Sequence, residues 1–192
     1  MNTAILSSLA ASRQLVLDLE ADVALQARLA QAVDLCVEAL SAGKKILFAG
    51  NGGSAAEAQH FAAELVGRFL KERSPLAAVA LNTDTSALTA IGNDYGFEHV
   101  FARQVQAIGQ AGDVLVGLST SGRSKNVVLA FQAAQQKGLQ TISLTGRDPR
   151  DLGPLSTVAL NMPSDHTPQI QEGHLIMGHL LCGLIEERLL GR

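Results

Sequence analysis

Apolar residues at the start of the chain recur with the period of an α-helix. Leu15, Leu19 and Val23 share one helical face, and a similar pattern continues to about residue 40. Acidic residues within 18–22 interrupt the pattern and predict a break between two helices, and Gly43 is placed to end the second helix. We therefore expect residues 1–43 to form an N-terminal helical segment.

Beyond Gly43, short apolar runs typical of buried strands alternate with stretches of helical periodicity. No hairpin signal joins the runs, so the pattern predicts an α/β fold with a parallel sheet covered by helices on both faces. No linker interrupts it, and we expect one domain over 1–192, with an α/β core at 44–192, a loop at 146–156 and a long C-terminal helix. The strand candidates are 45–50, 77–81, 113–119, 141–146 and 158–162. The helix candidates are 54–69, 85–110 with a break at 92–94, 124–137 and 168–190.

The composition excludes several functional classes. Of the 192 residues, 47% are apolar and 17% charged, and the formal net charge is −3. Mild acidity without a basic run, together with an aromatic content of 4%, argues against nucleic-acid binding. No apolar run of about 18 residues predicts a membrane span, and no secretory signal is recognisable. Cys36 and Cys182 lie in apolar helical patterns, which indicates packed thiols in a reducing compartment.

Small polar residues follow three of the predicted strands, where open α/β sheets bind their ligands. The segment Ser119-Thr120-Ser121-Gly122 lies between a strand and a helix, and it offers hydroxyl donors beside the free N–H groups of a helix N-terminus. These features predict a site for a phosphate monoester. In the alternative interpretation, Ser121 or Ser124 only caps the helix.

His60 and Glu64 are four residues apart on a predicted helix and therefore share one face. An imidazole beside a carboxylate can hold a metal ion or form an acid/base pair. The alternative is an ion pair on the surface or at an interface.

The last predicted helix carries Gln171, His174 and His179. Gln171 and His179 are about 80° apart around the helix axis and about 12 Å apart along it, and His174 points away from His179 by about 140°. Apolar residues surround His179 on a wide face, so this side chain needs a polar partner. A core histidine bonded to the backbone is the alternative.

Taken together, these segments resemble the phosphoheptose isomerases, which are sugar isomerase (SIS) domain enzymes. The resemblance follows the order of the chain over nearly its whole length, and the combination of motifs is specific to that family. The matching segments are Gly50-Asn51-Gly52-Gly53-Ser54, His60-Phe61-Ala62-Ala63-Glu64-Leu65, Gly92-Asn93-Asp94, Ser119-Thr120-Ser121-Gly122 and Ile170-Gln171-Glu172 with His179.

The resemblance implies a five-stranded parallel sheet in a flavodoxin-like three-layer sandwich. It also implies a cytoplasmic homotetramer with active sites at subunit interfaces. The reaction that it implies converts D-sedoheptulose 7-phosphate to D-glycero-D-manno-heptose 7-phosphate, the first step towards the ADP-heptose of the lipopolysaccharide core. No membrane or nucleic-acid partner is expected.

The resemblance further implies one zinc ion per subunit and a set of substrate contacts. The metal ligands would be His60, Glu64, Gln171 and His179. The substrate contacts would be Asn51, Gly52, Gly53, Ser54, Glu64, Asn93, Asp94, Ser119, Thr120, Ser121, Ser124 and Gln171.

Ketose–aldose isomerisation moves a proton between two neighbouring carbons through an enediol, which requires a base and an electrophile. We expect Glu64 to carry the carbon proton and His179 to exchange protons with the sugar oxygens. The serine loop would hold the distal phosphate and thereby fix the position of the sugar.

The chain departs from the family pattern immediately before Ile-Gln-Glu. Pro168 and Gln169 occupy positions where relatives have an acidic or small residue followed by Arg, and an Asp at the first of these supports the reacting end of the sugar. Asp165 or His166 could compensate. Two other functions are compatible with the fold: a non-catalytic SIS-domain protein that binds the DnaA replication initiator, and an isomerase or sensor for another sugar phosphate.

Overall fold

The computed structural model describes residues 2–191, which form seven α-helices, five strands and two 3-10 helices. The strands are β1 (Ile46–Gly50), β2 (Ala78–Ala80), β3 (Val114–Ser119), β4 (Gln140–Thr145) and β5 (Val158–Asn161). The helices are α1 (Asn2–Ala21), α2 (Val23–Ser41), α3 (Gly53–Val66), α4 (Thr85–Tyr95), α5 (Val100–Ile108), α6 (Lys125–Gln136) and α7 (Thr167–Leu189). The 3-10 helices are Phe97–His99 and Arg150–Leu155.

The five strands pair in the order β2-β1-β3-β4-β5, and every pair is parallel. Phe48 at the centre of β1 lies beside Ala80 of β2 and Val116 of β3. The strand order reverses between β1 and β3, because the chain first moves outward to β2 and then returns past β1. The carboxyl ends of β1 and β3 therefore frame the crevice in which folds of this type bind ligands.

Alternate residues of β1 enter two separate hydrophobic layers. Ile46 and Phe48 pack with α1, α2, α3 and α7 on one face of the sheet. Leu47 and Ala49 pack with α5 and α6 on the other face. Both faces are covered, so all of β1 is buried. This arrangement confirms the predicted three-layer fold with N-terminal helices.

The N-terminal boundaries follow the sequence signals. The break between α1 and α2 falls at Asp22, whose carboxylate accepts a hydrogen bond of 2.8 Å from the N–H of Leu25 and so caps α2. Gly43 has a φ of +71°, which favours glycine just beyond a helix end. Cys36 and Cys182 are buried free thiols. Burial raises the pKa of both, that of Cys182 to about 12.

Three boundaries differ from the prediction. Helix α3 ends at Val66 and not at residue 69, because the chain turns at Gly67 into an irregular segment. The break predicted at 92–94 lies inside α4, and the interruption comes at Gly96, whose φ is +90°. The predicted loop 146–156 contains the second 3-10 helix.

Helices α3 and α7 pack against each other at very short range. A Cβ atom at Gly178 of α7 would overlap the ring of Phe61 on α3, so only glycine fits this contact. The close approach matters for function because both helices carry candidate ligands on adjoining surfaces. No helix within residues 2–191 combines the length and hydrophobicity needed to cross a membrane.

Candidate active site

The crevice at the ends of β1 and β3 is bordered by two loops that hydrogen bonds join. The side-chain amides of Asn51 and Asn126 pair reciprocally, with two N···O distances of 2.8 Å. The hydroxyl oxygens of Ser119 and Ser124 lie 2.8 Å apart across the second loop. The loop that follows β1 is therefore tied to the first turn of α6.

The serine loop keeps the polar groups expected of a phosphate site. Ser124 stands at the N-cap position of α6, but its hydroxyl bonds Ser119 and caps no backbone N–H. Ser121 is exposed, and the one hydrogen bond of its hydroxyl within residues 2–191 comes from the N–H of Arg123, at 3.3 Å. Gly122 has a φ of +65° and lies against the carbonyl of Pro149, so a side chain would not fit. The hydrogen bonds of Ser121 and Ser124 therefore do not support the interpretation that either side chain only caps the helix.

A cavity of about 300 Å³ opens beside this loop, at the carboxyl ends of β3, β4 and β5. Hydroxyl, guanidinium and carboxylate groups dominate its wall. Arg147 and Asp165 form an ion pair of 3.1 Å at the rim. The lining residues are Thr120, Ser121, Arg123, Gly146, Arg147, Asp148, Arg150, Ser164, Asp165, Thr167 and Ile170.

Two turns into α3, three predicted ligands meet. Nε2 of His60 lies 2.7 Å from Nε2 of His179 and 3.4 Å from Oε1 of Glu64. One ligand atom from each residue falls within 4.8 Å of the others, a spacing that one metal ion could bridge. His179 thus finds the polar partner that its apolar surroundings demand, and this partner is a side chain and not the backbone.

Aromatic rings and an apolar groove surround His179. Phe69 stacks on its imidazole with ring centroids 5.4 Å apart, and Phe61 approaches it edge-on at 6.2 Å. The groove, of about 400 Å³, runs from His179 between Leu70 and Leu180. The side chain of His60 keeps 42% of its surface exposed, so the cluster remains open to a ligand.

Gln171 occupies a different place from the other predicted metal ligands. Its side-chain amide packs against Gly53, the first residue of α3. A Cβ atom added to Gly53 would lie 2.5 Å from Nε2 of Gln171. His60 follows Gly53 by about two helical turns, or about 10 Å. Within residues 2–191, no hydrogen bond joins the Gln171 side chain to His60, Glu64 or His179.

The remaining predicted contacts divide between the crevice and the surface. Gly52, with a φ of +57°, and the buried Ser54 begin α3 at the crevice. Asn93 and Asp94 are exposed on α4, and their only side-chain hydrogen bond in the described part of the chain joins them to each other, at 2.8 Å. Phe97 and Glu98, which follow α4, line a cavity together with Asn51 and Ser124, so the end of α4 lies near the crevice and a substrate contact of Asn93 and Asp94 stays a prediction.

A buried polar pair lies between Gln171 and the histidine cluster. His174 is fully buried, and its Nδ1 is 3.7 Å from Oε2 of Glu57 on α3. Neither ring nitrogen has a hydrogen-bond partner in residues 2–191. His174 and His179 thus both contact side chains of α3, His174 at Glu57 and His179 at His60.

The segment after α3 is held by a buried ion pair that the sequence did not indicate. Nε of Arg73 lies 3.0 Å from Oε1 of Glu186, and both side chains are at most 3% exposed. Burial opposes ionisation of Glu186, but hydrogen bonds from the N–H groups of residues 69–71 and the charge of Arg73 outweigh it and lower its pKa. This pair fixes Phe69, the residue that stacks on His179.

The residues that depart from the family pattern have structural roles. Pro168 lies in the first turn of α7, where its fixed φ and missing N–H are tolerated. The side chain of Gln169 accepts a hydrogen bond of 2.8 Å from Ser164. Asp165 lines the cavity beside Thr120, whereas the N–H of His166 is bonded to the Ser164 hydroxyl.

Comparison with known proteins agrees with this geometry. Residues 10–146 match the family model described as the SIS domain. The NanR protein of Vibrio vulnificus, solved in complex with ManNAc-6P, is 22% identical with a TM-score of 0.64 over 94% of this chain and 62% of that one. At this identity the likeness shows the fold alone.

Three relatives of higher sequence identity share one name. A phosphoheptose isomerase from Burkholderia pseudomallei is 49% identical over 190 residues, which cover 99% of this chain and 96% of the relative. One from Helicobacter pylori is 59% identical over 162 residues, 84% of each. The structure of phosphoheptose isomerase from Neisseria gonorrhoeae superposes with a TM-score of 0.91, at 47% identity, over 97% of this chain and 98% of that one. The chain therefore belongs to the phosphoheptose isomerases of the SIS-domain family.

Proposed function

We propose that the protein is a ketose–aldose isomerase that converts D-sedoheptulose 7-phosphate to D-glycero-D-manno-heptose 7-phosphate, the first step towards ADP-heptose. The observation that carries the proposal is the His60–Glu64–His179 cluster on the two helices that also border the serine loop's crevice. About two turns of α3 separate the cluster from the crevice. This separation suits a substrate whose phosphate is remote from its reacting carbons.

The serine loop would bind the phosphate. Ser119, Thr120, Ser121 and Ser124 supply hydroxyl groups at the N-terminus of α6, where the helix dipole favours an anion. Arg123 lines the same cavity and adds positive charge. Anchoring the phosphate there would hold the other end of the sugar at the histidine cluster and so reduce the entropic cost of the reaction.

Glu64 is the proposed carbon base. Its Oε1 faces His60, which leaves the second carboxylate oxygen to remove the proton from C1 of the ketose and deliver it to C2. His179 would give a proton to O2 and accept one from O1. Because its Nε2 faces His60, Nδ1 is the nitrogen available for this exchange. The enediol forms between the two carbon proton transfers.

We further propose one zinc ion per subunit. Two imidazoles and a carboxylate whose ligand atoms lie within 4.8 Å of one another are donors that zinc accepts in proteins. His60, Glu64 and His179 would hold the ion, with Gln171 as the fourth ligand. Bound zinc would supply a Lewis acid that polarises the oxygens at C1 and C2.

A cytoplasmic homotetramer with sites at subunit interfaces is proposed as the working form. On α7, Leu180 is 44% exposed beside the histidine cluster, and exposed apolar residues such as Leu6 and Leu9 continue along α1. The Gln171 side chain lies at the start of α3, away from the cluster in the same chain. A neighbouring subunit would bring its own Gln171 to the cluster and cover the apolar surface.

The two alternatives are not favoured. The relatives from Burkholderia pseudomallei and Helicobacter pylori, which match most of the chain at 49% and 59% identity, are named phosphoheptose isomerases. The NanR protein complexed with ManNAc-6P and a putative phosphosugar isomerase from Bacteroides fragilis share the fold at only 22% and 21% identity.

The test is direct conversion of sedoheptulose 7-phosphate, followed by NMR detection of the aldose. Zinc-loaded wild type should produce the aldose, whereas Glu64→Gln, which keeps the shape but not the base, should lose a factor of about 10² to 10⁴ in kcat. Glu72→Gln is the matched control, since Glu72 is exposed and pairs only with Arg68. Wild-type protein that binds the sugar phosphate and forms no aldose would contradict the proposal.

A further inference from the structure

We propose that Asn51 and Asn126 form a positioning pair that sets the β1 loop against the phosphate loop, and that the Asn51 side chain acts through this pair and not as a direct substrate ligand. The inference deepens the proposed function and rests on it. It also reassigns Asn51, which the family resemblance places among the substrate contacts.

The geometry of the pair uses both ends of each amide. Nδ2 of Asn51 donates to Oδ1 of Asn126, and Nδ2 of Asn126 donates to Oδ1 of Asn51, each at 2.8 Å. Oδ1 of Asn126 also accepts the N–H of Val127, at 3.0 Å. The pair thus uses one of the two amide hydrogens of Asn51 and one of the two lone pairs of its oxygen.

The burial of the two residues separates their roles. Asn126 is 3% exposed, and it forms the inner wall of a cavity of about 400 Å³ that Asn51 and Ser124 also line. Asn51 is half-buried and precedes Gly52 and Gly53, whose backbone opens α3. A hydrogen bond between them therefore transmits the position of α6 to the backbone of the β1 loop.

The β1 loop is also held from its opposite side. Nδ2 of Asn82, just beyond β2, donates to the carbonyl of Gly50 at 2.7 Å. Ser54 packs against Gly50 on the other side. Its carbonyl oxygen would lie 2.5 Å from a Cβ atom added to Gly50, so no side chain fits there. The loop is thus fixed between two neighbours, and removing the Asn126 contact frees the side that faces the phosphate.

The spacing of the phosphate loop depends on the same pair. Ser124 occupies the N-cap position of α6, two residues before Asn126. Its hydroxyl forms a hydrogen bond with that of Ser119 at the end of β3. A shift of the first turn of α6 relative to β1 would therefore move the Ser119–Ser124 hydroxyls away from the Gly52–Gly53 backbone. If the substrate contacts the Gly52–Gly53 backbone and the Ser119–Ser124 hydroxyls together, as the proposal requires, this shift weakens substrate binding more than it slows the chemical step.

The test is a double-mutant cycle in the zinc-loaded protein, with KM and kcat for sedoheptulose 7-phosphate and the Kd for inorganic phosphate as readouts. Asn51→Ala and Asn126→Ala should each raise KM and Kd about tenfold, with kcat changed less than threefold. The double variant should show the same tenfold increase, because the second substitution removes an interaction that is already lost. Independent roles would give about a hundredfold.

Two further variants distinguish a positioning role of the pair from a general loss of stability. Asn126→Asp preserves size but sets two oxygens against each other, so it should raise KM as much as Asn126→Ala does. Gln104→Ala removes an amide that makes two hydrogen bonds, to the carbonyls of Leu81 and Val100, away from both loops. Gln104→Ala should lower Tm by about as much as the Asn126 variants do, but leave KM and Kd unchanged.

Each outcome decides the inference. An increase in KM for Asn51→Ala with no change for Asn126→Ala would make Asn51 a direct ligand and overturn the positioning role. Additive effects in the double variant would overturn it as well. If wild type binds phosphate but forms no aldose, the proposed isomerase fails alone, and the Kd cycle still decides the pair. A wild type that neither reacts nor binds phosphate overturns both.

Discussion

At the scale of single residues, the 2.7 Å separation of two imidazole nitrogens is the most informative distance in the site. One Nε2–H that donates to the lone pair of the other Nε2 accounts for this distance, so one of the two rings carries its proton on the shared side. A metal ion bound by both rings would replace this proton, and the Glu64 carboxylate beside them would add a third donor.

Zinc content tests this interpretation independently of activity. His60→Ala removes one of three clustered donors, and loss of a ligand weakens metal binding strongly, so the variant should retain well under half of the wild type's zinc after dialysis. Elemental analysis measures the stoichiometry. His99→Ala is the control, because His99 lies in a 3-10 helix outside the cluster. Equal zinc in wild type and His60→Ala would contradict a site at this cluster.

Sequence reasoning located some site residues better than others. The pairing of His60 with Glu64 follows from helical spacing, and the need of His179 for a partner follows from its apolar face. The partnership of Asn51 with Asn126 could not be read from the sequence, because an amide in the first turn of a helix looks like any local cap residue. Its contact is 75 residues distant along the chain and depends on the pairing of β1 with β3.

At the scale of secondary-structure elements, the contact between α3 and α7 aligns the ligands. Gly178→Ala would force the Phe61 ring and α7 apart, because the added Cβ overlaps that ring. We expect a loss of about 1–3 kcal/mol in the free energy of unfolding, and a weaker zinc affinity as His179 moves away from His60. Chemical denaturation and metal titration measure the two effects.

A second glycine supplies the control for that experiment. Gly92 is also helical, on α4, but a Cβ there would lie 3.9 Å from its nearest neighbour, a side-chain carbon of Val100. Gly92→Ala should therefore stabilise the protein by about 0.5–1 kcal/mol through helix propensity, with zinc affinity unchanged. If Gly178→Ala behaved like Gly92→Ala, close packing of α3 on α7 would not be what positions His179.

The Arg73–Glu186 pair gives a prediction on pH dependence. The folded state lowers the pKa of Glu186 below its ordinary value of 4.5, so this carboxylate contributes stability above that pH. The contribution is lost as the pH falls below about 4.5 towards the lowered pKa. Glu186→Gln should remove this acid-sensitive part of the stability profile, as measured by urea denaturation between pH 3 and pH 7.

The same substitution should be costly at neutral pH. It leaves the buried Arg73 guanidinium without its counter-charge, which destabilises proteins by about 3–5 kcal/mol. Glu187→Gln, at an exposed neighbouring position, should change stability little. A Glu186→Gln curve parallel to the wild-type curve across the acid range would show that Glu186 ionises as it does in the unfolded chain.

Element boundaries mark where local sequence signals stop being sufficient. All five strands were predictable because each is a short apolar run between polar residues, and β1 is buried on both faces. The ends of α3 and α4 were not. The apolar residues Phe69 and Leu70 extend the helical pattern past Gly67, although tertiary bonds to Glu186 hold this segment outside the helix. Position 92–94 looked like a turn, but the positive φ falls at Gly96.

At the scale of the whole molecule, α7 has two apolar faces and the single chain buries one. Met177, Leu181 and Ile185 lie in the core, whereas Leu180, on the neighbouring line of the helix, is 44% exposed. The wide apolar face read from the sequence thus exceeds what one chain uses. The exposed Leu180 adjoins the histidine cluster and the groove beside Leu70, which is the surface that the proposed self-association would cover.

Subunit complementation tests whether the active site is shared. Gln171 lies about two turns of α3 from the cluster in its own chain, so a shared site would combine Gln171 of one subunit with His60, Glu64 and His179 of another. Gln171→Ala and Glu64→Gln should each be nearly inactive as pure proteins. Co-refolded as a mixture, they should regain a substantial fraction of wild-type activity, since some sites then contain neither substitution.

The control for this experiment pairs two substitutions from the same side of the proposed interface. His60→Ala with Glu64→Gln should not regain activity, because every mixed site still receives a defective cluster. Light scattering establishes that the mixtures form the same oligomer as wild type. Recovery in the first mixture and none in the second would show that neighbouring chains complete each other's sites. No recovery in either mixture would mean that each chain must carry its own Gln171 to the cluster, through a movement of the amide away from Gly53 when metal and substrate bind.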